Sequence, residues 1–296
     1  KVLFFGGGPF FMGNVEQSGC TSCNAADCNQ SVVTKLEPVE EDGYSRNAIT
    51  ISASDGVELE DGSRYIGQWK GTVREGQGVI ILPDGARYDG QFVSNCKHGK
   101  GKLTYANGGW YEGDFKDDLK HGSGKWVCPK NYGTSGPDDS SAMECVYEGQ
   151  WVADLQHGEG VETWQDGSTF KGKFKEGKKC GFGKFVWTAD SEYEGNFVDN
   201  VMEGKGIYKW GDGRRYDGEW KANCMHGHGV MTWIDGRVYD GQFKDGKRDG
   251  TGTLVWQNGR SYAGEWKMGK QHGTGVCVNP ASNGEAKASS RKARWE

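Results

Sequence analysis

Residues 216–238 read YDGEWKANCMHGHGVMTWIDGRV, and this 23-residue unit decides the fold because it recurs along the chain. Seven of the eight gaps between successive units are 23 residues long, and the third gap is 36. A fixed short period is typical of one supersecondary unit copied along an axis. The opening block, Tyr-x-Gly-x-(Trp/Phe), begins at Tyr65, Tyr88, Tyr111, Tyr147, Phe170, Tyr193, Tyr216, Tyr239 and Tyr262.

One unit predicts two strands and two chain reversals. Tyr216, Gly218 and Trp220 alternate along the sequence, so in a strand they share one face. The paired glycines of 226–229 permit positive φ, which predicts a tight reversal at this point. Residues 230–233 then read as a second strand rich in β-formers, and the Asp-Gly dipeptide after it favours a hairpin turn.

Stacked side by side, such units predict an all-β fold. We expect an elongated, twisted antiparallel meander of β-hairpins, which forms one single-layered sheet with a grooved face. At roughly 4.8 Å between strands, nine units would span about 85 Å. The predicted organisation is a disordered acidic head (1–46), a degenerate capping half-repeat (47–62), nine repeats with an insertion at about 127–145 in the third (63–280), and a disordered tail (281–296).

The composition limits which classes of binding partner and which cellular location we expect. The net charge is -5 and no strongly basic face is implied, which argues against nucleic acid as a partner. No apolar run approaches the roughly 20 residues that span a bilayer. Nine scattered cysteines do not suggest a disulfide framework. A reduced, cytoplasmic location is expected, with peripheral association with a membrane or the cytoskeleton left open.

The repeated blocks resemble the MORN (membrane occupation and recognition nexus) repeat family, whose motif runs Y-x-G-x-W/F, H-G-x-G, a short apolar strand and D-G. All nine units match the first block, and five carry the full second block, at His98, His121, His157, His226 and His272. The resemblance covers residues 61–280. It implies a non-catalytic module, because arrays of this family act as scaffolds at membranes and cytoskeletal structures, and their grooves bind peptides or helices.

The leading hypothesis is therefore a non-catalytic scaffold that links a membrane, through anionic phospholipid or an acyl anchor, to protein partners on the groove face. One alternative is a peptide-binding adaptor in a ciliary or cytoskeletal assembly. Another is the regulatory portion of a phosphatidylinositol-phosphate kinase-like enzyme, should the chain be a fragment. No catalytic residue, cofactor or metal is predicted. A homodimer through the array ends stays open.

Two apparent catalytic signals are explained by the repeat. Five of the six histidines occupy one repeat position, and equivalent positions lie about 10 Å apart, too far to share one zinc ion. The stretch from Gly172 to Lys178 nearly matches a phosphate-binding loop, but Lys179 follows where Ser or Thr is needed. Both patterns are read as structural.

The head contains the candidates for lipidation. Residues 12–18 begin like a myristoylation signal, so translation from Met12 would expose Gly13 for acylation. Cys20 and Cys23 stand where palmitoylation often joins a myristoyl group. Free cysteines and a zinc site that also uses Cys28 are the alternatives.

Two sets of side chains within the array are candidates for binding. The fifth repeat is locally basic, and its lysines are candidates for contact with lipid headgroups: Lys171, Lys173, Lys175, Lys178, Lys179 and Lys184. In six of the nine repeats the residue 17 positions after the start is aromatic. The five that are tryptophan are candidates for lining a groove: Trp164, Trp187, Trp210, Trp233 and Trp256. The insertion is a third departure from the repeat.

Overall fold

The computed structural model describes residues 56–129, 144–280 and 289–295. These residues form one sheet of 20 strands. The strands are β1 Val57–Glu58, β2 Arg64–Lys70, β3 Val73–Ile81, β4 Arg87–Val93, β5 Cys96–Thr104, β6 Trp110–Lys116, β7 Leu119–Val127, β8 Val146–Val152, β9 Leu155–Thr163, β10 Thr169–Lys175, β11 Lys178–Val186, β12 Glu192–Val198, β13 Val201–Lys209, β14 Arg215–Lys221, β15 Cys224–Thr232, β16 Val238–Lys244, β17 Lys247–Val255, β18 Ser261–Lys267, β19 Lys270–Asn279 and β20 Ser289–Trp295.

Each strand is antiparallel to the one that follows it, from β1 through to β20. This pairing is a meander, and it confirms the predicted all-β array of hairpins in an open sheet. Every strand from β2 to β19 therefore has a hydrogen-bonded neighbour on both sides.

Within one unit, a seven-residue strand and a nine-residue strand are joined by a two-residue turn, as β14 and β15 are by Ala222 and Asn223. Both turn residues have positive φ, 49° and 63°, the signature of the type I′ turns that suit hairpins. A longer loop then leads to the next unit. There Gly236 donates its N–H to the carbonyl of Trp233, with φ at 81°, so the predicted Asp-Gly turn is confirmed.

The predicted reversal at the His-Gly-x-Gly block is wrong. Residues 226–229 lie inside β15, where they form a β-bulge: Gly218 of β14 is opposite Gly229, but Glu219 is opposite His226. The bulge thus accommodates two residues of β15 that have no residue opposite them in β14. Gly227, one of the two, has a φ of 56°. The positive-φ glycine was correctly associated with irregular backbone, but it bends a strand instead of reversing the chain.

The core is a ladder of aromatic rings on one face of the sheet, which we call the aromatic face. Each unit contributes the ring that opens the repeat and the ring four residues later, as with Tyr216 and Trp220. Each opening ring meets the second ring of its own unit edge-on, and in the first eight units also that of the next unit, at centroid distances of 5.0 to 5.3 Å. Such contacts stabilise aromatic pairs beyond their buried area.

A row of glycines across the strands makes room for this ladder. Gly218 is opposite Gly206 in the preceding strand and Gly229 in the following one, and the same pairing recurs from unit to unit. A Cβ atom built on Gly229 would collide with the ring of Tyr216, which lies flat over the glycine pair. Glycine is therefore required at these positions by close packing, whereas in the turns it is favoured for its backbone freedom.

The two ends of the sheet are covered differently. At the start, β1 pairs with β2, while residues 47–55 of the predicted capping half-repeat lie outside the described residues. At the end, β20 pairs with β19 over seven residues. The prediction of a disordered tail over 281–296 is therefore wrong for residues 289–295. Without this strand, the backbone N–H and C=O groups of β19 would form an open sheet edge.

Candidate binding surfaces

The alternation of the strands gives the sheet two chemically different faces. Side chains at the second and fourth positions of each repeat, such as Asp217 and Glu219, lie on the face opposite the ring ladder, which we call the polar face. Over the second to fourth repeats this face forms an open groove whose charges largely compensate each other. Lys102 and Glu112 are 3.1 Å apart there, and Arg87 and Asp89 are 3.0 Å apart.

In the fifth repeat, the positive charges on the polar face are not fully paired with negative ones. Lys171 and Lys184 are directly opposite each other across β10 and β11, and so are Lys175 and Lys178. Lys173 lies between these two pairs, on the same face. We call these five side chains the lysine patch. Directly opposed residues have Cβ atoms about 5 Å apart, so like charges accumulate here.

Carboxylates neutralise only part of the lysine patch. Lys184 is 2.7 Å from Glu192, and this hydrogen bond raises the pKa of the ammonium group, so it stays charged. The ammonium group of Lys178 lies 3.9 Å from the carboxylate of Asp199, and that of Lys173 lies 4.0 Å from the carboxylate of Glu159. Among the residues that the structure describes, Lys171 and Lys175 have no carboxylate within 4.0 Å.

An exposed aromatic ring accompanies the lysines. Phe182 lies in the bulge of β11 opposite Asn196, which places it on the polar face, and 59 % of its surface is exposed. Sequence reasoning missed this residue because it occupies the variable position of the Gly-x-Gly block. The equivalent residue of the flanking repeats is Glu159 or Lys205, so a phenylalanine there could have been recognised as a departure.

Lys179 does not belong with the other five lysines. It is directly opposite Phe174, on the aromatic face, and it is only 8 % exposed. Its ammonium group is 2.8 Å from Glu162 and 4.6 Å from the ring centroid of Trp164. The structure therefore assigns Lys179 to the packing of the core, where a cation lies over aromatic rings. The other five predicted lysines are brought together.

The fifth repeat also lacks two stabilising contacts that its neighbours make. In eight repeats the opening tyrosine donates its hydroxyl to the backbone carbonyl three residues later, but Phe170 has no hydroxyl. In most repeats the fourth-position side chain accepts the N–H of the bulged residue, as Gln242 does from Thr251 at 2.8 Å. Lys173 occupies that position here and cannot accept a hydrogen bond.

The predicted tryptophans lie in a row on the aromatic face, beside the ring ladder, which we call the Trp stripe: Trp164, Trp187, Trp210, Trp233 and Trp256. All five are partly buried against the core. Where the intervening residue is aromatic, the rings make a chain, with centroid steps of 5.0 and 4.3 Å from Trp164 through Phe185 to Trp187. Steps of 5.3 and 4.5 Å continue through Tyr208 to Trp210.

An arginine lies over each of the last three tryptophans of the stripe. Four residues after the tryptophan, Arg214, Arg237 and Arg260 place their guanidinium carbons 5.0, 5.3 and 5.2 Å from the ring centroids. Arg214 and Arg237 also bind the aspartate of their own Asp-Gly turn at 2.7 Å. The spacing of four residues is a consequence of the loop geometry, which brings the arginine back over the ring.

Two of the repeated histidines lie near an acidic turn residue of the next unit, although neither Nδ1 atom makes a hydrogen bond within the described residues. His98 Nδ1 is 3.7 Å from Asp117, and His226 Nδ1 is 3.9 Å from Asp245, in each case the first turn residue of the next hairpin. No group of three or more His, Cys, Asp or Glu residues that could hold a metal ion occurs in the described residues.

The predicted lipidation residues Gly13, Cys20 and Cys23 lie outside the described residues and stay predictions. Most of the predicted insertion, residues 130–143, is also outside them. At its base, the N–H of Cys128 donates to the carbonyl of Cys145, which extends the ladder between β7 and β8. Burial raises the pKa of the Cys145 thiol, which makes it a poor nucleophile. No helix long and apolar enough to cross a membrane occurs in the described part of the chain.

Comparison with known proteins identifies the repeat. A family model described as MORN repeat matches residues 65–87, 88–110, 111–131, 147–169, 170–191, 193–214, 216–236, 239–259 and 262–283. A search of curated proteins finds no match.

Among solved structures, the chain is similar to the TCP domain of SAS-4 (dCPAP) from Drosophila melanogaster, in complex with a proline-rich motif of Ana2 (dSTIL). The identity is 12 %, the TM-score is 0.32, and the match covers 70 % of this chain and 96 % of that chain. A mutant TCP10 domain of Danio rerio CPAP matches at 12 % identity and a TM-score of 0.31, over 77 % of this chain and 94 % of that chain. At these TM-scores the likeness carries no functional argument.

Proposed function

Because this chain belongs to the MORN repeat family, we propose that it is a non-catalytic scaffold that links an anionic membrane surface to protein partners. The observation that carries the membrane half is the lysine patch with Phe182 exposed beside it. The Trp stripe supports the protein-binding half. Because the patch and the stripe lie on opposite faces of one sheet, both partners can be bound at once.

The lysine patch has the chemistry of a peripheral membrane contact. Each lysine near an anionic bilayer contributes about 1 kcal/mol of attraction. Lys171 and Lys175, which have no close carboxylate among the described residues, are available for it. A phenylalanine that leaves water for the interface adds about 2 kcal/mol. The patch alone thus supports weak, reversible binding, and it complements an acyl chain, which by itself anchors only marginally.

Vesicle co-sedimentation tests the membrane half. We expect binding to vesicles that contain phosphatidylserine and not to vesicles of phosphatidylcholine alone. The double variant Lys171→Glu/Lys175→Glu should lose at least about tenfold in affinity, and Phe182→Ala should weaken binding less, because a single hydrophobic contact is lost.

The matched control changes equivalent charges elsewhere on the polar face. Lys221 and Lys244 occupy the repeat position of Lys175 in the seventh and eighth repeats. Lys221→Glu/Lys244→Glu should bind phosphatidylserine vesicles close to the wild-type level. Equal losses in the two double variants would contradict a local patch, and a wild-type protein that ignores anionic vesicles would remove the membrane half of the proposal.

The acyl anchor is tested separately, with protein whose translation starts at Met12. Incorporation of a labelled myristate analogue and membrane fractionation should both be lost in Gly13→Ala. A Cys20→Ser/Cys23→Ser variant should keep the myristoyl label but shift toward the soluble fraction, because one chain anchors only marginally. A protein without label at Gly13 would remove the myristoyl anchor from the proposal and keep the lysine patch.

The second candidate function is a peptide-binding adaptor in a ciliary or cytoskeletal assembly, which the Trp stripe favours. Trp210→Ala and Trp233→Ala should reduce recovery of a protein partner in pull-downs, provided that circular dichroism shows the sheet intact. Unchanged recovery with both variants would argue against the aromatic face as the site of protein binding.

A further inference from the structure

We propose that the Trp stripe binds an acidic, proline-rich peptide in the polyproline II conformation, which runs across the strands and places one turn on each repeat. The inference rests on the proposed function in one respect, that the aromatic face takes a protein partner, and it names the chemistry of that partner. Three features of the stripe support it: the available surface, the spacing of the rings and the charge beside them.

The Trp stripe is the part of the aromatic face that a ligand can reach. The rings of the ladder are at most 8 % exposed. The five tryptophans of the stripe, in contrast, are only partly buried against the core. A ligand there contacts a row of indoles instead of entering a deep groove.

The spacing of the rings selects the conformation of the ligand. Equivalent residues of successive repeats are two strands apart, about 9.6 Å. The centroid steps through Phe185 and Tyr208 agree, since they put consecutive indoles at most about 10 Å apart. A polyproline II helix repeats every three residues, or about 9.3 Å. Over the four intervals of the stripe, the mismatch accumulates to only about 1 Å.

The other common peptide conformations fit less well. Two turns of an α-helix advance about 10.5 Å over seven residues, so a helix drifts by roughly 4 Å over the same four intervals. A β-strand needs a free sheet edge to add to, but each strand from β2 to β19 is already paired on both sides. Polyproline II needs no backbone pairing and is typically bound by aromatic-lined grooves.

The charge beside the stripe selects the acidic residues. Arg214, Arg237 and Arg260 recur once per repeat, over consecutive tryptophans. In Arg214 and Arg237 the Nε atom bonds the turn aspartate, which leaves the terminal nitrogens to bind a second carboxylate. Their side chains are 33 % and 41 % exposed. A carboxylate at every third residue of the peptide would meet one arginine per turn.

The test uses a fluorescently labelled (Pro-Pro-Glu)4 peptide and anisotropy titration against the full chain. We expect saturable binding, with tryptophan quenching, that is at least tenfold tighter than for (Gly-Ser-Glu)4, which has the same charge but no polyproline II preference. The triple variant Arg214→Glu/Arg237→Glu/Arg260→Glu should bind (Pro-Pro-Glu)4 at least tenfold more weakly. It should bind (Pro-Pro-Lys)4 more tightly than the wild type does, a gain that a folding defect cannot produce.

A matched triple variant on the polar face, Arg64→Glu/Arg87→Glu/Arg215→Glu, should leave the peptide affinity unchanged. Equal binding of (Gly-Ser-Glu)4 would overturn the polyproline II assignment, and so would the absence of (Pro-Pro-Glu)4 binding. Loss of a protein partner in Trp233→Ala pull-downs, combined with no peptide binding, would leave the proposed scaffold standing and reject only this partner. Unchanged partner recovery in Trp233→Ala together with no peptide binding would reject the aromatic face as a binding surface, while vesicle binding reports on the opposite face.

Discussion

The tyrosine that opens eight of the nine repeats combines packing with a hydrogen bond. Its ring is at most 1 % exposed, and its hydroxyl donates to the carbonyl three residues later at 2.9 to 3.1 Å. A buried phenol is costly to ionise because the phenolate loses its hydration. Burial therefore raises the pKa of Tyr65 and of Tyr239 to about 12, above the unfolded value near 10.

These tyrosines predict that the sheet is destabilised by alkali. A group whose folded pKa is raised contributes stability that is fully present below the unfolded pKa and is lost as pH rises through the folded pKa. The free energy of unfolding should therefore fall between about pH 10 and about pH 12. Urea denaturation at a series of pH values, followed by circular dichroism, measures this fall.

Lysines titrate in the same range, so Tyr239→Phe is the control that isolates the phenol. This variant is expected to be less stable at neutral pH, by about 1 kcal/mol for the lost hydrogen bond, but to lose less stability between about pH 10 and about pH 12. If the free energy of unfolding fell in parallel with pH for the variant and the wild type, the pKa of Tyr239 would be the same in the folded and unfolded states.

In several repeats the residue before the Gly-x-Gly block lies near the next hairpin turn, in one of two ways. Glu75 accepts the N–H of Ser94 at 2.9 Å, and Glu203 makes the same bond to Ala222. His98 instead faces the carboxylate of Asp117. A carboxylate in the bulge thus meets an uncharged turn residue, whereas this histidine meets an acidic one. The sequence contains this pairing, but it can be recognised only when the position of the next hairpin turn is known.

At the scale of the element, the fifth repeat differs from the other repeats at its β-bulge. Lys173 replaces an acceptor at the fourth position, and Phe182 is exposed where the flanking repeats carry a charged residue. Lys173 weakens the hairpin formed by β10 and β11 because it cannot accept the N–H of Phe182, yet it adds a charge to the lysine patch, beside which Phe182 is exposed. A loss of stability confined to one repeat is typical of a functional site.

Restoring the acceptor should therefore stabilise the hairpin. Lys173→Gln allows the side chain to accept the N–H of Phe182, as Gln242 accepts that of Thr251, and should raise the free energy of unfolding by about 1 kcal/mol. It should also weaken vesicle binding, because one lysine is removed. The reciprocal change, Gln242→Lys, should lower stability by a similar amount without improving vesicle binding.

Urea denaturation of both variants provides the comparison. If Lys173→Gln were no more stable than the wild type while Gln242→Lys were clearly less stable, the bulge of the fifth repeat would have to be satisfied in another way. Water could do this, since Phe182 is exposed. Lys173 would then cost the hairpin no stability, and vesicle binding would still depend on the lysine patch.

For the whole molecule, the repeat and its face pattern could be predicted from the sequence, because Tyr216, Gly218 and Trp220 alternate and the Asp-Gly turn has a fixed composition. The hairpin turn could not, because its two residues differ between units, as in Ser94-Asn95 and Ala222-Asn223. Its positive φ values are imposed by the strand twist on either side. The burial of Lys179 was missed for a related reason, since it depends on which residues lie opposite each other after the bulge.

In the described part of the chain, each strand packs mainly against the strands next to it in sequence. Beyond the sheet pairing, each turn binds the preceding unit: the N–H of Asn95 donates to the carbonyl of Arg74, and the Asn95 side chain accepts the N–H of Arg74 at 2.8 Å. Equivalent bonds recur along the sheet, as from Asn223 to Met202. Stability should therefore follow a nearest-neighbour pattern in which local damage stays local.

Hydrogen exchange followed by mass spectrometry tests this pattern. Tyr193→Ala removes a fully buried ring from the middle of the ladder, at a cost of about 3–5 kcal/mol in the surrounding units. Exchange should accelerate in the hairpins that pack against this ring, β10 to β15, while β2 to β7 stay protected because they keep all their neighbours. Tyr262→Ala, near the end of the sheet, should accelerate exchange only from β16 onward. Uniform loss of protection in both variants would instead show one global unfolding unit, with coupling that extends through every repeat.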